Sequence, residues 1–270
     1  MCRIAIVPPK TFSADELSEI FLGLEISNGG DGNGVYPFDT QKPEHDLTHV
    51  EAAKRLASAG GVFHTRLASV GGTSKEHLHP VEAGKGYLVQ NGTWSNWYLY
   101  ESSARHDTTV IGELVEKAGR DALAASDLAS AGVLVYMEGR HVYIYKRSNR
   151  PFGVHYWGKN RYMLVSEDVS PYIEGHPGGF FPLPDDTFIK LSADDFTPRV
   201  FEPNPPSLHK YRSYTYLYQQ QSWSAEYDVD SEKIGRSAYK NATKLAKDAD
   251  LIDYLEPNKS GNLIVRGVKQ

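Results

Sequence analysis

Cys2 is the only cysteine in the chain, and it stands directly behind Met1. A lone cysteine forms no intrachain disulfide and no multi-cysteine zinc site. Two readings compete for it. Free cysteine often serves as a small buried hydrophobe at the start of a strand. The other reading is a nucleophile that carries its own base. Loss of Met1 would leave an α-amine titrating near about 7.7–8.0, beside a thiol whose ordinary pKa is about 8.5. Such a thiol forms a covalent intermediate and splits one difficult acyl transfer into two easier steps. Four further stretches hold the polar residues that could accompany it: His64-Thr65-Arg66-Leu67-Ala68-Ser69, His77-Leu78-His79-Pro80, Gln90-Asn91-Gly92-Thr93 and Asp107-Thr108-Thr109-Val110-Ile111. Taken singly, each has a plain structural reading. Arg66 suits a surface ion pair, Asp107 a helix N-cap, and Asn91-Gly92 a type I′ hairpin turn.

Taken together, in this order, the stretches resemble the class II glutamine amidotransferases, members of the N-terminal-nucleophile hydrolase superfamily. That family combines an N-terminal Cys with H-T-R-x-A, an N-x-H-P-like stretch, an H-N-G turn and an S-D-T-E-V-like stretch. This chain reads Cys2, H-T-R-L-A, H-L-H-P, Q-N-G and H-D-T-T-V at similar spacings. The resemblance covers about residues 1–195, more loosely through Lys146–Gly153 and Val165–Asp168. It implies an α+β fold, the four-layer αββα sandwich, over about residues 1–200, with 201–270 as a C-terminal extension. It also implies hydrolysis of L-glutamine to glutamate and ammonia through a γ-glutamyl thioester on Cys2. In that scheme the Asn91 side chain and the Gly92 N–H stabilise the oxyanion, a task worth several kcal/mol of barrier. Arg66 takes the substrate's α-carboxylate as a bidentate pair, with Ser69 adding a hydroxyl, and Asp107 takes the α-ammonium. The catalytic set is therefore Cys2, Asn91 and Gly92, and the binding set Arg66, Ser69, Asp107 and Gly92. No cofactor or metal is implied.

Departures from the family pattern bear on the site. Asn28 stands where an Arg that helps hold the catalytic end is usual, although the stretch through Gly34 keeps its glycines and Asp31. Val70 replaces a His found in some relatives. Gln90 replaces the usual His before Asn-Gly, with a side chain expected to stand outside the chemistry. Only about 70 residues follow the core, so the ammonia acceptor is expected on a separate synthase or ligase, docking at the mouth of the site or on 201–270. Two alternatives remain at this stage: hydrolysis of a γ-glutamyl amide on a larger metabolite, and a catalytically silent regulatory or binding subunit.

The elements that must position these residues are legible in part. Ile4–Val7 predicts a buried strand stopped by Pro8-Pro9. Ser13 and Glu16 form a capping box, and Leu17, Ile20, Phe21 and Leu24 make one apolar stripe. Asn28–Gly34 reads as a loop. A second helix is predicted from about Asp46 to Ala59, stopped by Gly60-Gly61. Its His45 and His49 would lie one turn apart, a spacing seen in zinc sites, but no third ligand is evident. Strands are predicted over Val62–Ala68, Gly86–Trp94, Val133–Glu138, His141–Ser148, Tyr162–Asp168 and Thr187–Leu191, with a hairpin at Gly139-Arg140. A helix is predicted near Thr108–Ala118, running on irregularly to about Ala125. Beyond Phe201, prolines 203, 205 and 206 suggest a linker. Tyr214, Tyr216 and Tyr218 alternate as on a strand, 231–254 reads as a charged helix, and Leu263–Gly267 as a short strand. The Tyr-rich strip from Tyr211 suits an extra strand or a docking surface.

Composition excludes several classes. The 270 residues are 40% hydrophobic and 23% charged, an ordinary globular balance. A net charge of −5 gives no electrostatic footprint for nucleic acid. No stretch approaches the roughly 18 apolar residues of a membrane span, and the N-terminal apolar run is too short for a signal peptide. These features predict a cytoplasmic enzyme or subunit.

Overall fold

The structure is a computed structural model. It describes residues 2–69, 74–100, 106–148, 150–158, 161–173, 178–212, 255–257 and 263–265. The chain opens with β1 (Arg3–Val7), α1 (Ala14–Asn28), β2 (Asn33–Pro37), β3 (Glu44–Leu47), α2 (His49–Ala59) and β4 (Gly61–Thr65). It continues through β5 (Val81–Ala83), β6 (Gly86–Asn91), α3 (Asp107–Ala118), β7 (Val133–Glu138) and β8 (His141–Lys146). The core closes with β9 (Gly153–Tyr156), β10 (Tyr162–Val165), β11 (Gly179–Pro182), β12 (Thr187–Ser192) and β13 (Arg199–Val200).

Two antiparallel sheets result, in the orders β11-β9-β10-β1-β4-β2-β3 and β13-β12-β8-β7-β6-β5. Side chains alternate across each strand, so every central strand feeds two cores. From β1, Ile4 and Ile6 pack between the sheets, against Val133, Val135 and Ile144 of the second sheet. Ala5 and Val7 point the other way, onto the stripe Leu17, Ile20, Phe21 and Leu24 of α1 and onto α2. From β7, Leu134 and Tyr136 face Val110, Ile111 and Leu114 of α3. Helix, sheet, sheet, helix is the αββα order, and burial on both sheet faces explains why the central strands read as nearly unbroken apolar runs.

Local signals hold where capping chemistry is strong. Ser13 Oγ accepts the Glu16 N–H while Glu16 Oε2 accepts the Ser13 N–H, closing the predicted box at the head of α1. The second helix starts later than predicted. Thr48 and Glu51 form their own capping box, so α2 begins at His49, and Asp46 has a left-handed backbone (φ 62°) inside β3. His45 and His49 therefore sit on a strand and a helix, not one turn apart on a single helix. Gly60 ends α2 as expected.

The loop predicted through Gly34 ends sooner, because Asn33 and Gly34 already belong to β2. Gly34 suits that place for a steric reason. A Cβ there would lie 1.9 Å from the carbonyl oxygen of His79, so its absence lets the His79 loop rest on the sheet. The hairpin at Gly139-Arg140 forms as predicted, pairing Glu138 with His141. After β13 the chain stays on the α3 side: Leu208 is buried there, Tyr211 donates to the Lys117 carbonyl, and Arg212 reaches Tyr100 and Asp127. The short strand predicted near the C-terminus is present as β15 (Leu263–Val265), paired with β14 (Leu255–Pro257). Val70, Tyr214, Tyr216, Tyr218 and the helix predicted over 231–254 lie outside the described residues. Among the described residues, no helix is long and apolar enough to cross a membrane.

Candidate active site

β1 runs antiparallel to β4 with Arg3 opposite Thr65, which brings Cys2 beside Arg66 at the same end of the sheet. In the second sheet β6 ends at Asn91 over this end, and α3 begins at Asp107 next to it. These four chain ends surround a small cavity of about 20 Å³ whose lining includes Cys2, Arg66, Ser69, Gly92 and Asp107.

Cys2 is buried, its Sγ 3.8 Å from the Leu67 carbonyl oxygen. Burial pushes the thiol's pKa up, while the Leu67 contact and the charge of Arg66 pull the other way. The thiol thus rests protonated and needs a base to attack. Its main chain is held firmly. Arg3 donates to the Cys2 carbonyl at 3.2 Å and to Glu167 at 2.7 Å, and Glu167 also accepts from Ser27 and Tyr172. Asn28, at the last position of α1, takes no part in these bonds, so in this chain an arginine one residue from the thiol holds the Cys2 main chain.

Arg66 is buried, at 3% exposure, so the surface ion-pair reading fails for it. Its main chain exchanges hydrogen bonds with Asp31 and Gly32, and Asp31 Oδ2 accepts the Ala68 N–H at 2.7 Å. The retained aspartate therefore fixes the Arg66–Ala68 segment. Ser69 lies at the rim, 2.8 Å from the Thr93 hydroxyl. Asp107 is the first residue of α3 and His106 holds the N-cap position, so the cap reading fails as well. The Asp107 carboxylate accepts from the Trp94 N–H at 2.7 Å and from Gln90 Nε2 at 3.3 Å. Burial raises its pKa; those hydrogen bonds oppose the rise. Asn91 and Gly92 do not form a hairpin turn, since the chain runs on from Gly92 through the Trp94 segment rather than back along β6. A Cβ at Gly92 would come within 2.3 Å of the Ala131 carbonyl oxygen. Neither Nδ2 nor Oδ1 of the buried Asn91 has a partner among the described residues. An unpaired buried amide costs about 1–3 kcal/mol; Asn91 itself does not line the cavity, although Gln90 and Gly92 on either side of it do.

Sequence reasoning gave no site role to five further lining residues, Leu67, His79, Gln90, His106 and Thr108. The Gln90 side chain was expected to stand outside the chemistry. Leu67, Gln90, His106 and Thr108 are signalled in the sequence only by adjacency to Arg66, Asn91 and Asp107. Behind the cavity, His64 Nε2 lies 3.2 Å from the Gln90 carbonyl oxygen and 2.9 Å from His79 Nδ1. His64 belongs to the first sheet and Gln90 to the second, so the imidazole pair joins the sheets here.

Burial pushes His64 down to about 3 and His79 well below the ordinary 6.5. Below about pH 6.5 the unfolded chain binds protons at these positions that the folded chain does not. Stability is therefore expected to fall as pH drops from 6.5 towards 5, by up to about 1.4 kcal/mol per pH unit for each histidine. Asp107, raised, opposes this as one carboxyl against the buried histidines His64, His79 and His155. Thermal melting measured at pH 7, 6 and 5 checks it; a melting temperature constant over that range would refute the assignment.

No family model matches the chain. In sequence it is 27% identical to a glutamine–fructose-6-phosphate aminotransferase (isomerizing) of Streptomyces coelicolor over 197 residues, 64% of this chain and 30% of that protein. In structure it superposes on the glutamine phosphoribosylpyrophosphate amidotransferase of B. subtilis with a TM-score of 0.54 and 14% identity, over 76% of this chain and 50% of that one. A second match, the allosteric regulatory enzyme of purine biosynthesis, gives 0.50 and 15%, with 76% and 50% covered. The chain thus spans half or less of the length of these proteins. It has the αββα sandwich of the N-terminal-nucleophile hydrolase type and resembles the class II glutamine amidotransferases in motif order, sequence and fold.

Proposed function

We propose that this chain hydrolyses L-glutamine to glutamate and ammonia, with Cys2 as nucleophile and its own α-amine, freed by loss of Met1, as base. The amine takes the Sγ proton as sulfur attacks the carboxamide carbon. The oxyanion so formed is held by the Asn91 Nδ2–H and the Gly92 N–H. The ammonium then returns its proton to the departing nitrogen, ammonia leaves and a γ-glutamyl thioester remains. Water attacks the thioester, giving its proton to the same amine, and collapse of the second oxyanion releases glutamate and restores the thiol. Arg66, with Ser69, grips the α-carboxylate and Asp107 the α-ammonium, which selects free glutamine over glutamine within a protein.

The observation that carries this reading is the convergence of Cys2, Arg66, Ser69, Gly92 and Asp107 on one small cavity, with the residue before Gly92, Asn91, carrying a buried amide that lacks partners among the described residues. Two of the three similar proteins carry glutamine in their names, which supports the substrate. The proposal extends to a separate synthase or ligase that accepts the ammonia, and to 201–270 as the extension on which it docks.

Incubation with a diazo-ketone analogue of glutamine, followed by intact mass, tests the reading. A chain without Met1 that carries one adduct on Cys2 is expected. An unmodified chain retaining Met1 would point to the silent subunit. Arg66→Ala is expected to raise KM for glutamine by about 10- to 100-fold, matching the 1.5–3 kcal/mol of a hydrogen bond to a charged group. An unchanged KM in steady-state ammonia release would remove Arg66 from the site.

A further inference from the structure

Gln90 makes an unusually complete set of bonds for a side chain next to a reaction centre. Its Nε2 donates to Asp107 Oδ2 at 3.3 Å and to the Ala131 carbonyl at 3.0 Å, while its Oε1 accepts from the Thr108 hydroxyl at 2.6 Å. Its main-chain N–H points at His79 Nδ1 (3.4 Å), and its carbonyl oxygen faces His64 Nε2 (3.2 Å). The residue is fully buried and immediately precedes Asn91 and Gly92. One residue thus joins the strand that carries the oxyanion donors to the helix start that carries the ammonium-binding carboxylate.

We infer that Gln90 is a positioning residue, which fixes the Asp107 carboxylate relative to Asn91 and Gly92 and so sets the site's preference for substrates bearing an α-ammonium. The inference rests on the function proposed above. Its chemistry is particular to a primary amide. Two N–H donors and one acceptor oxygen serve three partners at once, whereas a neutral imidazole has one donor and one acceptor. A histidine in this place could not hold Asp107, Ala131 and Thr108 together. The main-chain clamp by His64 and His79 would survive most changes of the side chain, because it involves only the peptide group of residue 90. Loss of the amide should therefore release Asp107 while leaving the oxyanion strand in place, and misplacement of a binding group by a fraction of a bond length is enough to be felt in affinity.

The test is calorimetric titration in a Cys2→Ala background, where no turnover intervenes, with two probes: L-glutamine, and glutaramate, the same molecule without the α-ammonium. Gln90→Met removes the amide at nearly constant volume. It is expected to weaken glutamine binding by about 10-fold and to leave glutaramate binding within about twofold. Equal weakening of both probes, or no change in either, would overturn the inference, since general damage does not distinguish the two molecules. Gln90→His, which keeps a donor but not the three-way set, reads the same ratio if Gln90→Met does not fold. Failure of the Cys2→Ala chain with Gln90 intact to bind glutamine would instead reject the underlying function, and this inference with it.

Discussion

Asn91→Ala is expected to lower kcat for glutamine by about 10²–10³ while leaving the protein at least as stable as before. The two halves of that result have one cause. The Asn91 amide is buried with neither its nitrogen nor its oxygen paired among the described residues. Folding therefore carries a desolvation cost of about 1–3 kcal/mol that no internal hydrogen bond offsets. Alanine removes the unpaired group, and the small void it leaves opposes part of that gain. In the proposed mechanism the Asn91 donor serves charge that appears only in the transition state, and loss of one such donor usually costs two to three orders of magnitude in kcat. KM should move little, because the ground-state carboxamide gains far less from the donor than the oxyanion does. Ammonia release and thermal melting on one preparation check both halves. A kcat within threefold of the parent chain would remove Asn91 from the oxyanion hole, and a steep loss of melting temperature would show that the amide has a structural partner.

The legible and illegible parts of this molecule divide along a physical line. Elements whose ends are fixed by local chemistry could be placed closely: α1 by the Ser13–Glu16 box, the β7–β8 hairpin by Gly139, the end of α2 by Gly60. The strands β2, β3, β5, β9 and β11 could not. They are three to five residues long, contain Gly, Pro or His in every case but β5, and are specified by their neighbours across the sheet rather than by their own alternation. The Thr48–Glu51 box was the exception, a local signal that starts α2 at His49 rather than at about Asp46 as expected.

The site divides in the same way. Cys2, Arg66, Asn91, Gly92 and Asp107 were identifiable as a set because the family pattern ties their types to their order. Their meeting at one end of the sandwich follows from register, Arg3 against Thr65 and Asn91 against Val133, which no periodicity in the sequence encodes. The roles of Arg3 and Gln90 were illegible for a further reason. Each acts through hydrogen bonds to residues between 1 and 164 positions away, and only the packing of α1 and α3 onto the sheets and the pairing of β10 with β1 select those partners. Asn28 illustrates the converse. Judged by the family pattern alone it leaves the catalytic end unsupported, yet the Arg3–Glu167 pair supplies that support from the other side of β1.

Cys2→Ala is expected to abolish glutamine hydrolysis entirely while preserving both fold and glutamine binding. The side chain is small, and Ile4 to Val7 keep the strand buried behind it, so the stability change should stay within about 1 kcal/mol. Chemistry should not survive, because no other thiol exists in the chain to form the thioester. Cys2→Ser gives a sharper form of the same test. It keeps a hydroxyl next to the α-amine, but a hydroxyl is far less ionised than a thiol at neutral pH, so residual turnover should fall below about 1% of the parent chain. Burial already raises the Cys2 thiol, so the parent chain depends on its base. Its kcat/KM should therefore fall on the acid side as the α-amine, with an ordinary pKa of about 7.7–8.0, takes up a proton. Full activity in Cys2→Ala would end the N-terminal-nucleophile mechanism outright. An acid limb positioned near pH 4, with Cys2 still essential, would keep the nucleophile and reject the amine as its base.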